Sequence, residues 1–205
     1  LQFDIAKYRD FWFRTSYLFD SRQTANNLAR DRFDNYKVQP LTFNLPTQFD
    51  GKITSNLEKP GQRPKAAVIR EKGSNSEREM ANAMYLAGFD VKDVHMTDLI
   101  SGRETLEDIR FIGAVGGFSN SDVLGSAKGW AGAFKYNEKA RQALRRFFSR
   151  TDTLSIGICN GCQLFMELEL IHPDHKEHGK MTYNHSHKHE SNFTSVSIPK
   201  NNAVM

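Results

Sequence analysis

The sequence predicts an α/β fold built on a parallel sheet, and three features downstream of Lys65 carry that prediction. Short apolar runs alternate with stretches of helical periodicity. The helical pattern after the first run, "SEREMANAMYLAG", has both ends marked. Two later runs lead straight into turns, one made of Gly116-Gly117 and the other holding Cys159.

The first ~35 residues place apolar and aromatic side chains at mixed helical spacings, which predicts one or two helices. Four of the six prolines then fall between Pro40 and Pro64, with Gly51 and Gly61, a composition that interrupts helices and suits an extended connector. A boundary near residue 60 follows, with 1–60 as a helical segment and connector and 61–205 as the α/β domain. In that domain "AAVIR" is the first strand. In the helix after it, Ser76 and Glu79 have capping-box spacing, Met80, Ala83, Met84 and Ala87 form one apolar stripe, and Gly88 is placed as the C-terminal cap. "FDVKDVHM" supplies the second strand and "FIGAV" the third. "NEKARQALRRFF" is a helix with Ala140, Leu144 and Phe147 facing inward, and "TLSIGI" is the strand that ends at Cys159. Internal repeats and low-complexity tracts are absent from the sequence.

Composition bounds the function classes. At 205 residues the chain can build one sizeable core, or one core plus a smaller unit. No run of ~18 apolar residues exists to cross a bilayer. The net charge of +4 is spread along the chain without a basic block, so neither nucleic acid nor membrane is an expected partner. Two cysteines in a single turn make a poor disulfide framework and point to a reducing compartment, the cytoplasm. The N-terminus has neither an initiator methionine nor a signal pattern, and reads as the interior of a longer polypeptide.

The stretch "TLSIGICNGCQLF" admits three chemistries. A redox Cys-x-x-Cys pair would use Cys159 at a helix start and Cys162 to resolve the mixed disulfide. A zinc site would need two more ligands, drawn from the histidines between 172 and 189, whose spacing is not that of a finger. The third reading takes Gly157-Ile158-Cys159-Asn160-Gly161 as a nucleophile elbow, with glycines that let the chain turn sharply between strand and helix. The amide of Asn160 would then face the attacked carbonyl and stabilise an oxyanion. A second donor is expected from the "VGGFSNSD" loop, whose Gly116-Gly117 lets backbone approach a ligand closely.

"REKGSNSEREMANAMYLAGFDVKDVHMTDLISGR", "GGFSNSDVLGSAKGWA" and "GICNGCQLF" closely resemble the glutaminase domain of the large, single-chain formylglycinamide ribonucleotide amidotransferases, the phosphoribosylformylglycinamidine synthases. The resemblance spans about residues 64–198, and residues 1 to about 60 resemble the end of the family's synthetase region and its connector. It implies a flavodoxin-like class I glutamine amidotransferase fold, incomplete at its C-terminus. It also implies that Cys159 attacks the side-chain amide of L-glutamine, forms a thioester and releases ammonia. By position, the family's oxyanion donors map to the backbone of Gly117, Phe118 and Asn160. The ammonia would serve a synthetase region of the same polypeptide that uses ATP and magnesium to make formylglycinamidine ribonucleotide in purine biosynthesis, while no cofactor is expected in residues 1–205. The family loop usually reads Gly-Gly-Phe-Ser-Tyr-Gly-Asp, and here Asn120-Ser121 precedes Asp122, which leaves the local backbone open.

The family's catalytic His-x-Glu is expected beyond Met205. His172-Pro173-Asp174 mimics it, but a helix of ~10 residues after Cys159 would carry His172 about 15 Å away. The histidine-dense stretch is expected to be a polar surface loop and Trp130 a packing residue. Arg70 and Glu71 are expected either to border the pocket or to form a structural ion pair. A different class of function stays open beside the enzyme: a non-catalytic or redox-sensing α/β interaction module of the same fold.

Overall fold

The computed structural model describes residues 2–38, 47–48, 50–52, 58–171, 173–191 and 194–200. The chain forms two compact units, Gly51–Met181 and the combination of Leu1–Asp50 with Thr182–Met205.

In the second half of that division, helix α1 (Ile5–Gln23) is capped by Asp4, whose carboxylate accepts the Lys7 N–H at 3.1 Å, and α2 (Leu28–Asn35) packs back on it. Two helices therefore occupy the region where one or two were expected. Tyr17 and Phe33 stack between them at 4.7 Å, and Ala29 is buried at the contact. Charge ties the later segment to these helices. Arg32 donates to Asp20 at 2.8 Å and pairs with Glu190, Lys188 pairs with Asp20, and the Ala25 N–H donates to the Ser186 carbonyl at 3.1 Å. Burial pushes the Asp20 carboxyl up, but hydrogen bonds from Lys188 and Thr24 and the charge of Arg32 outweigh it and hold the group below its ordinary value. The "TSVSI" stretch forms no strand among the described residues, and its Val196 and Ile198 lie in solvent.

Gly51–Met181 holds the sheet. Its strands are β1 (Lys65–Arg70), β2 (Ser74–Asn75), β3 (Asp90–His95), β4 (Ile109–Ala114), β5 (Gly116–Gly117) and β6 (Leu154–Gly157). Four run parallel in the order β3-β1-β4-β6, and β2 pairs antiparallel with β5. Counting only the parallel strands, this is the order 2-1-3-4 of flavodoxin-like sheets, as predicted. Between them run α3 (Glu77–Leu86), α4 (Met96–Ser101), α5 (Lys128–Lys135), α6 (Glu138–Phe148) and α7 (Asn160–Glu167).

Alternation along β1 divides the core. Ala67 and Ile69 enter a large cluster with Leu99, Trp130, Phe134, Leu144, Phe147 and Leu164, while Ala66 and Val68 face α3 through Met84. The inward face predicted for α6 is buried as expected, and Trp130 is fully buried as a packing residue. Gly113 is a glycine because α3 presses on it: a Cβ there would lie 2.5 Å from Cε of Met84.

The two ends of α3 turned out differently. At its C-terminus Gly88 has φ +98°, its N–H donates to Tyr85 and that of Phe89 to Met84, which is a Schellman cap. At its N-terminus the expected capping box does not form. The β2–β5 ladder ends one residue before the helix, so Ser76 reverses the chain in the left-handed region (φ 71°) and makes no side-chain cap. Helix α4 was not anticipated; His95 caps it in a reciprocal arrangement with Asp98.

Candidate active site

All four parallel strands end on one edge, and the elements that carry chemistry gather there. At the end of β6 the chain enters α7 through Cys159, whose backbone is at φ 55°, ψ −111°. A side chain in so sparsely populated a region costs about 1–3 kcal/mol and persists only when its surroundings impose it. Here they do: the Ile158 N–H donates to Ala114 at 3.0 Å, the Gly161 N–H to Ile158 at 2.9 Å and the Gln163 N–H to Cys159 at 3.1 Å.

The flanking glycines act otherwise than expected. Neither has a positive φ; Cys159 itself takes the strained conformation. Both are glycines because backbone lies against them. A Cβ at 157 would be 2.7 Å from the Gly161 oxygen, and one at 161 would be 2.0 Å from that of Ala114. The result is an exposed thiol at Cys159, while Cys162 is half-buried one turn on.

The loop after β4 lies beside it. A Cβ at Gly116 would stand 3.3 Å from Cβ of Cys159 and 3.8 Å from its Sγ. Gly117 has φ +104° and abuts Asn75 and Gly73, again excluding a side chain. The Phe118 N–H donates to the Gly73 carbonyl at 2.9 Å, and that of Asn120 to Lys72 at 2.9 Å. The Phe118 bond flanks the Ser74–Gly117 pair, so that pair's own amides point away from each other and the Gly117 N–H stays outside the ladder. The Asn160 N–H, first of its helix, has no partner within α7.

A buried polar contact that sequence reasoning missed joins this loop to the elbow. Oδ1 of Asn160 accepts from Ser119 Oγ at 2.6 Å and from the Ser119 N–H at 3.3 Å, and its Nδ2 donates to Gln163 at 2.9 Å. Spacing held no signal for it, since the partners are 41 residues apart.

Arg70 and Glu71 find other partners than each other. Arg70 forms a two-pronged ion pair with Asp93 at 2.6 and 2.8 Å, and Glu71 accepts the Lys72 N–H at 2.8 Å within its own turn. His95 Nε2 lies 3.7 Å from Glu71, a histidine–carboxylate pair in the wrong place. It ends β3, three strand spacings from β6, or roughly 14 Å. His178 lies 3.8 Å from Glu169, past the far end of α7. His172 lies outside the described residues. Among the described residues no histidine bonds to Cys159, and no group of three His, Cys, Asp or Glu side chains could hold a metal.

A family profile described as the CobB/CobQ-like glutamine amidotransferase domain matches residues 63–205. The chain belongs to that family. Among curated relatives of this amidotransferase domain, a phosphoribosylformylglycinamidine synthase of Schizosaccharomyces pombe is 40% identical over 197 residues, covering 94% of this chain and 15% of the relative. One of Homo sapiens is 38% identical over 221 residues, covering 100% of this chain and 16% of the relative. The chain thus spans about one sixth of the length of the curated relatives it matches. A solved structure of PurLQS from Thermotoga maritima is 28% identical, with a TM-score of 0.42, covering 52% of this chain and 45% of that one.

Proposed function

We propose that this chain carries the nucleophile half of a glutaminase, with Cys159 attacking the side-chain amide of L-glutamine. The observation that carries the reading is the strained, exposed Cys159 at the N-terminus of α7, beside a glycine loop that excludes side chains. The sulfur adds to the amide carbon, the C–N bond breaks, and the nitrogen leaves as ammonia with a proton from the general acid. Water then cleaves the thioester to glutamate and restores the thiol. Backbone N–H groups of Gly117 and Asn160 receive the oxyanion in both halves. The Phe118 amide joins them only when its bond to Gly73 opens. The general base is assigned to the His-x-Glu that the family resemblance places after residue 205.

The two synthase relatives support the larger assignment. Ammonia formed here would feed an ATP- and magnesium-dependent synthetase region of the same polypeptide that makes formylglycinamidine ribonucleotide, in the cytoplasm. Residues 1–60 are the proposed end of that region with its connector, and residues 61–205 the glutaminase domain, which itself needs neither cofactor nor metal. A non-catalytic or redox-sensing module is the reading this displaces, and the half-buried Cys162, one helical turn from the elbow, gives it little support.

A glutamine analogue bearing an electrophilic diazoketone tests the proposal. In the full natural polypeptide it should label Cys159 and abolish glutamine hydrolysis, and Cys159→Ala should do the same. Labelling of Cys162 instead, or a reversible disulfide between the two thiols, would defeat it. The 205-residue chain should hydrolyse glutamine about 10²- to 10⁴-fold more slowly than a chain extended through the His-x-Glu, the usual worth of general acid–base help.

A further inference from the structure

We propose that Ser119 and Asn160 form a buried positioning pair that sets the distance between the two backbone donors of the oxyanion site. The inference rests on the glutaminase reading and deepens it. The donors lie on separate pieces of chain, one on the loop after β4 and the other at the start of α7. Each piece has its own anchors. The loop is held from one side by the turn after β1, through Phe118 to Gly73 and Asn120 to Lys72. The helix is held by the Ile158–Ala114 bond and by the contact of Gly161 with Ala114. The polar bridge between the pieces is the Asn160 carboxamide.

Ser119 is two residues beyond Gly117, and Asn160 carries its own donor on the same residue. Both are 1% exposed, so neither side chain can exchange its bonds for water. The carboxamide is held at both ends: Oδ1 takes the hydroxyl and the N–H of Ser119, and Nδ2 donates to Gln163. A group held on both sides has one orientation, and that orientation sets where the loop stops relative to the helix. Oxyanion donors act only when aimed at the position the charged oxygen will occupy, so a small shift of the loop weakens the transition state while leaving ground-state glutamine binding nearly intact. Removing the hydroxyl of Ser119 leaves the long 3.3 Å amide bond as the bridge and frees the loop to drift.

The test is made in the full natural polypeptide, with Ser119→Ala, Asn160→Ala, the double variant and the hydroxyl-retaining Ser119→Thr. Asn160→Ala keeps the backbone donor and removes the bridge. Glutaminase kcat should fall about tenfold to a hundredfold in each single variant, short of the 10²–10³ that follows loss of a donor outright. The double variant should fall little further, because both changes cut one bridge. KM for glutamine should stay within about twofold, Ser119→Thr should recover most of kcat, and the aldehyde analogue of glutamine, which forms a tetrahedral adduct, should lose affinity in step with kcat. Alkylation of Cys159 by iodoacetamide should keep its rate, since the elbow has its own anchors. An active parent with an unchanged Ser119→Ala variant would overturn the positioning pair alone. So would parallel losses of kcat and alkylation, which would mean that the pair holds the elbow or the fold. A parent lacking Cys159-dependent hydrolysis would overturn the glutaminase reading as well.

Discussion

Gly161 lies so close to Ala114 that a Cβ at 161 would sit 2.0 Å from the Ala114 carbonyl oxygen and 2.5 Å from its carbonyl carbon. The obstacle is the backbone of β4, not the movable end of a side chain. The contact therefore seats the first turn of α7 on the strand beside β6, and the strained Cys159 is held between the two.

Gly161→Ala should consequently destabilise Gly51–Met181 by about 3 kcal/mol or prevent its folding, because a core strand and a helix must separate. Gly132→Ala, inside α5, is the matched control. A Cβ there meets only the Tyr136 ring, at 3.8 Å, and alanine is the better helix former by about 1 kcal/mol. Urea unfolding of the two variants checks the contrast, and equal stabilities would show that the contact is not what holds the elbow.

Ser121→Gly should stabilise the chain by about 0.5–1 kcal/mol. Asn120, Ser121 and Asp122 all have positive φ, at 52°, 57° and 48°. Asp122 is needed there, since it accepts the Ala127 N–H at 3.0 Å, and Asn120 packs over Gly129. Ser121 is exposed and has no such duty, so glycine relieves strain without costing a contact. A lower unfolding midpoint for the glycine variant would count against this account of the loop.

Stability should depend on acid through Asp20. Its carboxyl lies below its ordinary value: burial opposes that, and the hydrogen bonds from Lys188 and Thr24 and the charge of Arg32 produce it. A depressed native value means that the contribution is complete above the unfolded value, about pH 4, and is lost as pH falls through the native one. Asp20→Asn should thus destabilise the chain at pH 7, by a margin that shrinks as pH falls below about 4, measured as the difference between the two unfolding curves. A pH-independent difference would assign the loss to packing.

The sequence by itself determined the parallel α/β class, its four parallel strands and helices α3 and α6, and it supplied Cys159 as the proposed nucleophile. These follow from local quantities: apolar runs of strand length, the inward stripe of α6, Gly88 after a helix, and Gly-x-Cys-x-Gly behind a strand. Tertiary structure decided what depends on neighbours distant in sequence. Ser76 gave up its cap because a two-residue ladder with β5 sets the direction of entry into α3. The Phe118 amide went to Gly73, 45 positions away, so which loop donors stay open was not legible in the loop. His95 with Glu71 looks like half a triad until strand order places it three strands from Cys159. The Ser119–Asn160 bridge left no pattern in the sequence, because a buried hydrogen bond needs only two polar side chains that the fold brings together, and any spacing along the chain serves.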